Sequence, residues 1–269
     1  MQTSSFSQKE KDLIIVIPNL SQLFLRCLDG FDAIEYLKDQ AFQNPSIFWL
    51  IGCNEWLWRY LNRVCDLSAY FGDPISLPFL GGFELKEWLD PVCESINFEF
   101  TQQNQQKAQK KFQNNHSSDT NQPRWASELE QKYFDSLANV ASGIGQSAAR
   151  LWLYSLHILQ SDENGDDDVD ESSQPTKLVT LKAKLPDLPD LTQDQRFLLY
   201  SLGLHERMGL SELSISLGDS ISQVRNQIQV LLKADVVERN HNLLQVNPAH
   251  YSQLQQDLAN NYFLVGDSK

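Results

Sequence analysis

The chain has 269 residues, 41% of them hydrophobic, enough to bury a sizeable core in one large or two smaller domains. Its 22 basic and 35 acidic residues give a net charge of −13, which repels phosphate backbones and acidic membrane surfaces at long range and removes nucleic acid as the default partner. The polar start (MQTSSFSQKEKD) lacks a charged-then-apolar signal pattern and the best apolar run, Ile47 to Cys53, is far short of a bilayer span, so a cytoplasmic protein without membrane insertion is expected.

Leu13-Ile14-Ile15-Val16-Ile17, ended by Pro18 and Asn19, has the continuous apolar character of a strand buried on both faces of a parallel sheet. Residues 20–39 then place Leu20, Leu23, Phe24, Leu28, Phe31, Ile34 and Leu37 at spacings of three and four, which predicts an amphipathic helix interrupted at Gly30. Ile47 to Cys53 reads as a second buried strand, Trp56 to Val64 as a helix, and Ile75-Ser76-Leu77-Pro78-Phe79 as a third, shorter strand. Strand, helix, strand, helix, strand is the order of a doubly wound α/β sheet.

Composition then changes twice. Residues 101–124 are dominated by Gln, Asn and other polar types with few apolar anchors, as in a mobile insertion or a solvated helix. Structure is expected to resume at Trp125 and run to about Gln160. Seven acids (Asp162, Glu163, Asp166, Asp167, Asp168, Asp170 and Glu171) then crowd one stretch with Ser, Gly and Pro, so 161–184 reads as a disordered acidic linker. A calcium loop through Asp162, Asn164 and Asp166 fails, because the required turn Gly falls on Asp167 and the bidentate Glu on Ser173. Cys27, Cys53, Cys65 and Cys93 have no C-x-x-C spacing and lie among apolar residues, which fits reduced, largely buried thiols and predicts no metal site.

The last region has the clearest local pattern. Leu191 to Leu204, with Thr192 as N-cap, is a helix. Leu210 to Leu217 is a second helix, Gly218-Asp219 a turn, and Ser220 to Ala234 a third helix with Ile221, Val224, Ile228, Leu231 and Leu232 on its apolar face. Val236 to Arg239 and Leu243 to Val246 flank Asn240-His241-Asn242 as a β-hairpin. Tyr251, Leu254, Leu258, Tyr262 and Phe263 mark a final amphipathic helix.

The strands LIIVIPN and IFWLIGCN, the segment ISLPFLGGFELKEWL, the helical SGIGQSAARLWLYSL and the C-terminal helix-turn-helix together resemble the second half of an AAA+-type ATPase with an appended winged-helix domain. The resemblance implies a partial doubly wound sheet with a helical lid, followed by an α+β winged helix. It would make the first strand the Walker B strand, whose terminal acids hold magnesium, but Pro18 and Asn19 stand in those places and neither can act as a charged ligand or base. Asn54 would be the polar residue that senses the γ-phosphate, or else the N-cap of the helix beginning at Glu55. Arg59 and Arg63 would be placed as arginine fingers toward a neighbour's phosphate, or else form a solvated helix face. Arg150 lies two residues beyond the place of the lid arginine, which Ala148 occupies, so a glycine-initiated core helix is the competing reading.

No G-x-x-x-x-G-K-[ST] loop occurs, and no Gly is followed by Lys, so nothing supplies the phosphate cradle. The strand, loop and helix that carry it in such ATPases are expected to be missing from this chain, leaving an open sheet edge for another chain, or for the N-terminus and insertion, to cover. The expected organisation is a partial AAA+-like core and start of the lid (13–100), the polar insertion (101–124), the helical lid (125–160), the acidic linker (161–184) and the winged helix (185–265).

The function this implies is a non-catalytic interaction module, docking protein partners through its lid and winged helix, with no cofactor and no catalytic residue of its own. One alternative is a subunit of a split ATPase, where ATP and magnesium enter only through a composite site with a second chain. The other is a DNA-binding regulator presenting Gln223, Arg225, Asn226, Gln229 and Lys233, with Arg239 of the hairpin, to duplex DNA. Residues 191–250 carry five basic against six acidic side chains, which disfavours that last reading.

Overall fold

The computed structural model describes residues 13–96, 98–99, 125, 127–159, 177–180 and 182–265. The polar insertion at 101–124 and the acidic run at 162–171 lie outside them. In chain order the elements are β1 (Leu13–Ile17), a 3-10 turn (Leu20–Leu23), α1 (Asp32–Gln43), β2 (Ile47–Ile51), α2 (Glu55–Cys65), α3 (Ser68–Phe71), α4 (Gly82–Ser95) and β3 (Phe98–Glu99). There follow α5 (Glu128–Val140), α6 (Gly145–Ser155), β4 (Leu156–Leu159), β5 (Lys177–Thr180), α7 (Gln193–His205), β6 (Met208–Gly209), α8 (Leu210–Leu217), α9 (Ile221–Lys233), β7 (Val237–Asn240), β8 (Leu243–Val246) and α10 (Tyr251–Asn260). The protein is mixed α/β, mostly helical with small sheets.

These elements form two compact units, neither continuous in sequence. Unit 1 draws on Met1–Ser76, Leu188–Asn247 and Leu254–Lys269, and unit 2 on Leu77–Asp187 and Pro248–Gln253. Composition suggested a break at an acidic linker, yet the two β-branched strands and the three C-terminal helices fall in one unit.

In unit 1, β1 and β2 are parallel, in register from Leu13 opposite Ile47 to Ile17 opposite Ile51, with α1 as the crossover. The chains approach closely where the strands end: a Cβ on Gly52 would lie 2.1 Å from the Pro18 carbonyl oxygen, so only glycine fits there. One face of the pair packs through Ile17, Trp49 and Ile51 on a core of Leu20, Phe24, Ile34, Leu37, Leu57, Leu61 and Leu67. The opposite face is open, with Ile14, Val16, Phe48 and Leu50 exposed by 61, 56, 62 and 55%. Burial of both strands on two faces, expected from their apolar runs, is therefore corrected to burial on one.

The third strand expected at Ile75–Phe79 does not form. Those residues have no ladder partner, and Ile75, Leu77 and Phe79 stand exposed by 96, 88 and 70%. Pro78 removes a backbone donor from the segment, and alternating apolar side chains alone do not make a strand where no strand among the described residues offers a ladder.

The rest of unit 1 is built around α7, whose residues Leu198 to His205 are all buried. Thr192 opens it with a capping box closed by Gln195, Gly218 ends α8 in the left-handed region at φ 74°, and Ser220 opens α9 with a second capping box closed by Gln223. β8 is the central strand between β6 and β7, antiparallel to both. Arg196 grips Asp257 of α10 with two hydrogen bonds of 2.7 and 2.9 Å, and Leu258 of the same helix is fully buried. The helix ends at Asn260, so Tyr262, expected on its apolar face, is instead almost fully exposed.

Unit 2 holds the helical block. α4 and α5 enclose Leu85, Leu89, Phe134 and Leu137, and Leu151 and Trp152 of α6 complete that core. A Cβ on Gly82 would come within 2.8 Å of the Asp135 backbone nitrogen, which sets how closely the first two helices approach. The Tyr133 and Ser155 hydroxyls meet at 2.6 Å in the interior. Two expectations are corrected here. Helix α6 stops at Ser155, and Leu156 begins β4. Lys177–Thr180, placed by composition in the disordered linker, is the central strand of a sheet ordered β3-β5-β4.

Candidate functional site

In open α/β sheets the crevice beyond the carboxyl ends of the strands is the usual ligand position. In unit 1 that place is framed by Asn19, just after β1, and Asn54, just after β2. Both side chains are already engaged. Asn19 Oδ1 accepts from the Ser21 N–H at 2.9 Å and opens the 3-10 turn. Asn54 Oδ1 accepts from the Leu57 N–H at 2.8 Å and caps α2. Each then turns its Nδ2 toward the end of α7: Asn19 donates to Glu206 Oε2 at 2.8 Å, and Asn54 donates to the Leu204 carbonyl at 3.2 Å and to Glu206 Oε1 at 3.4 Å.

Glu206 reaches both amides from an unusual backbone. Its φ of 64° and ψ of −50° place it at the centre of a γ-turn, closed by the Arg207 N–H donating to the His205 carbonyl at 2.7 Å. A non-glycine residue in this turn is strained by about 1–3 kcal/mol and persists only where its surroundings fix it. The surroundings are dense. His205, just before, is buried and stacks on Phe24 at 4.7 Å between ring centroids, and its carbonyl accepts from the Ser21 hydroxyl at 3.3 Å. Gly203 lies so close to the Trp56 indole that a Cβ there would stand 2.1 Å from two ring carbons. Tyr200 packs against Trp56 and Tyr60.

Burial governs the titration of the groups around this junction. The His205 imidazole is held down to about 4, chiefly by loss of solvation, and its Nε2 has no hydrogen-bond partner among the described residues. The Cys53 thiol is pushed up to about 12 by burial, with the Glu206 carboxylate adding to the rise, so it stays protonated and unreactive at neutral pH. Cys93, in unit 2, is raised to about 11 for the same leading reason. All four cysteines are free thiols, but only Cys65 is buried and the other three are partly exposed, where the sequence suggested deeper burial for the set.

The Glu206 carboxylate thus stands between two amides that are already capping helical turns. Sequence reasoning named Asn54 but missed Glu206, whose only local signal is its place after the last apolar residue of α7.

The other residues singled out are dispersed. Arg59 pairs with Glu55 at 3.3 Å on α2, and Arg63 is exposed in the last turn of that helix. Arg150 lies on α6 of unit 2, beside the wholly buried Ala148. Gln223 is half-committed, because its side chain accepts from the Ser220 N–H at 3.1 Å. Arg225, Asn226, Gln229 and Lys233 of α9 and Arg239 of β7 are all exposed. Among the described residues no helix is long and apolar enough to cross a membrane. No family model, curated protein or solved structure matches the chain.

Proposed function

We propose that this chain is a non-catalytic interaction module of AAA+-like ancestry, acting in the cytoplasm and docking protein partners through its helical lid and winged helix. The observation that carries this reading is the Asn19–Glu206–Asn54 contact. The two polar residues at the strand ends, which an ATPase would turn toward nucleotide and metal, are spent on fastening the strands to α7. The absence of a Walker A sequence points the same way. A winged helix with a charge near zero and exposed polar side chains on α9 suits protein docking better than a phosphate backbone.

A second reading, in which the chain completes a composite ATP site with another subunit, draws on the two open edges of the β1–β2 pair. It requires Glu206 to leave both asparagines. Titration of the purified chain with a fluorescent ATP analogue and magnesium, alone and with a candidate ATPase partner, separates the two. No binding in either mixture is expected. Binding and hydrolysis in the presence of the second chain would replace the first reading with the second.

A further inference from the structure

Unit 2 contains a cavity of about 480 Å³, lined by Leu151, Tyr154, Ser155, His157, Lys182 and Lys184. That volume is within the range of small-molecule sites. Its inner wall offers no free polar group: Leu151 is buried, and the Ser155 hydroxyl is spent on the Tyr133 hydroxyl and the Trp152 carbonyl. Tyr154, in the last turn of α6, is exposed and brings an aromatic side chain to the wall.

The rim is cationic. Ala183 is buried in the core of unit 2 while Lys182 and Lys184 on either side of it are exposed, an alternation that sends both ammonium groups to the same side of the chain. His157 of β4, opposite Val179 of β5, adds a ring N–H donor. Among the described residues no carboxylate lines the cavity, although the whole chain has a net charge of −13. Lys38, Lys86 and Lys132 each lie against a carboxylate, whereas Lys182, Lys184 and His157 have no ion pair or side-chain hydrogen bond among the described residues. The segment that carries the seven acids joins β4 and β5 where Leu159 stands opposite Lys177. Lys182 and Lys184 follow the opposite end of that ladder, where Leu156 faces Thr180.

Two ammonium groups and a ring donor at the mouth of a partly apolar cavity match a dianion with an organic body. A carboxylate monoanion would leave one lysine without a counter-charge. The phosphate of a monoester carries close to two negative charges at neutral pH and has three acceptor oxygens, one for each of Lys182, Lys184 and His157. We propose that this cavity binds a small phosphate monoester with an aromatic or apolar body, its phosphate on Lys182, Lys184 and His157 and its body against Tyr154 and Leu151. The site lies wholly within unit 2 and goes beyond the interaction-module reading, which does not require it.

The test titrates phenyl phosphate, inorganic phosphate and benzoate into the purified full chain and follows its backbone amide NMR signals. Phenyl phosphate is expected to shift the amides of Tyr154 to His157 and of Lys182 to Lys184. It should bind more tightly than inorganic phosphate, which lacks the ring, and than benzoate, which carries a single charge. Lys182→Gln and Lys184→Gln should each weaken it about tenfold with the thermal transition unchanged. Tyr154→Ser should weaken phenyl phosphate and leave inorganic phosphate as it was. The proposal is overturned if phenyl phosphate fails to bind the folded wild-type chain, if benzoate or inorganic phosphate binds as tightly, or if neither lysine variant weakens it. The double variant Lys182→Gln, Lys184→Gln also keeps this site apart from a composite ATP site: nucleotide binding abolished by it belongs here, and binding that survives it belongs to the composite site.

Discussion

Asn19 and Glu206 are 187 positions apart in sequence, yet the amide of one donates to the carboxylate of the other at 2.8 Å. With Asn54 on the second oxygen, the contact ties the ends of both parallel strands to the end of α7. Glu206→Ala is expected to cost about 1–2 kcal/mol, since it removes two charge-assisted bonds while leaving the strained turn in place. A double-mutant cycle with Asn19→Ala, read by urea unfolding, should give a coupling of about 1 kcal/mol. Additive effects would mean the contact contributes nothing.

Asn54→Ala removes more than a contact, because the side chain also caps α2. The loss of cap and clamp together should be about 2 kcal/mol, and Asn54→Asp should restore the cap but set a second carboxylate beside Glu206. Unfolding midpoints in the order wild type, Asp, Ala at high salt, with the Asp variant falling as salt is lowered, would match this division of labour.

Gly203 carries a steric prediction. A methyl group there meets the Trp56 ring at 2.1 Å, and both residues are locked in helices, so Gly203→Ala should destabilise the protein by about 2–3 kcal/mol despite its better helix propensity. Trp56→Leu in the same chain should recover part of the loss. A more stable Gly203→Ala single variant, read by thermal unfolding, would show that the two helices are free to move apart.

His205 predicts acid sensitivity with a definite window. Burial, with Arg26 adding to it and a Ser21 hydrogen bond opposing, holds the folded value at about 4 against an ordinary 6.5. Above pH 6.5 the ring is neutral in both states and its contribution is complete. Between about 6.5 and 4 the unfolded chain takes up a proton that the folded chain refuses, so stability falls, by up to about 3 kcal/mol, and below 4 this group adds no further loss. His205→Phe should flatten that part of the profile in urea unfolding at pH 7, 5.5 and 4.5. An unchanged slope would assign the loss to carboxylates instead.

The exposed face of α9 predicts weak behaviour toward nucleic acid. Arg225 and Lys233 of α9, with Arg239 of β7, are the basic groups singled out, so any duplex binding should lose affinity with salt at a log–log slope no steeper than about −3. A steeper slope, or sequence preference altered by Asn226→Ala, would revive the DNA-regulator reading.

Local signals account for what the sequence made legible. Thr192, Gly218 and Ser220 act on their immediate neighbours, and the helices they bound appear where expected. β1 and β2 were visible in their apolar runs, but the open face was not, because an apolar run is the same whether one face or two are covered. Lys177–Thr180 was hidden among polar residues, since its identity as a strand comes from partners at 98–99 and 156–159. Glu206 was hidden for a similar reason. Nothing adjacent to it encodes a γ-turn, and the residues that hold it there are contributed by the other end of the chain.

The discontinuity of unit 1 sets an order of events during synthesis. Its first strands leave the ribosome long before α7, the helix that carries the buried residues Leu198 to His205, and the hairpin closes only when Val246 has emerged. At about 5–20 residues per second the wait from Ser76 to the hairpin is roughly ten to thirty seconds. For that interval β1 and β2 have the core contributed by Leu20 to Leu67 but not α7, so Trp56 and Tyr60 lack their packing on Tyr200. Unit 2 has most of its helices by then, so the growing chain passes through a stage in which unit 1 still lacks α7. A chain that stalls in this window exposes apolar surface that α7 later covers, of the kind that chaperones and proteases recognise.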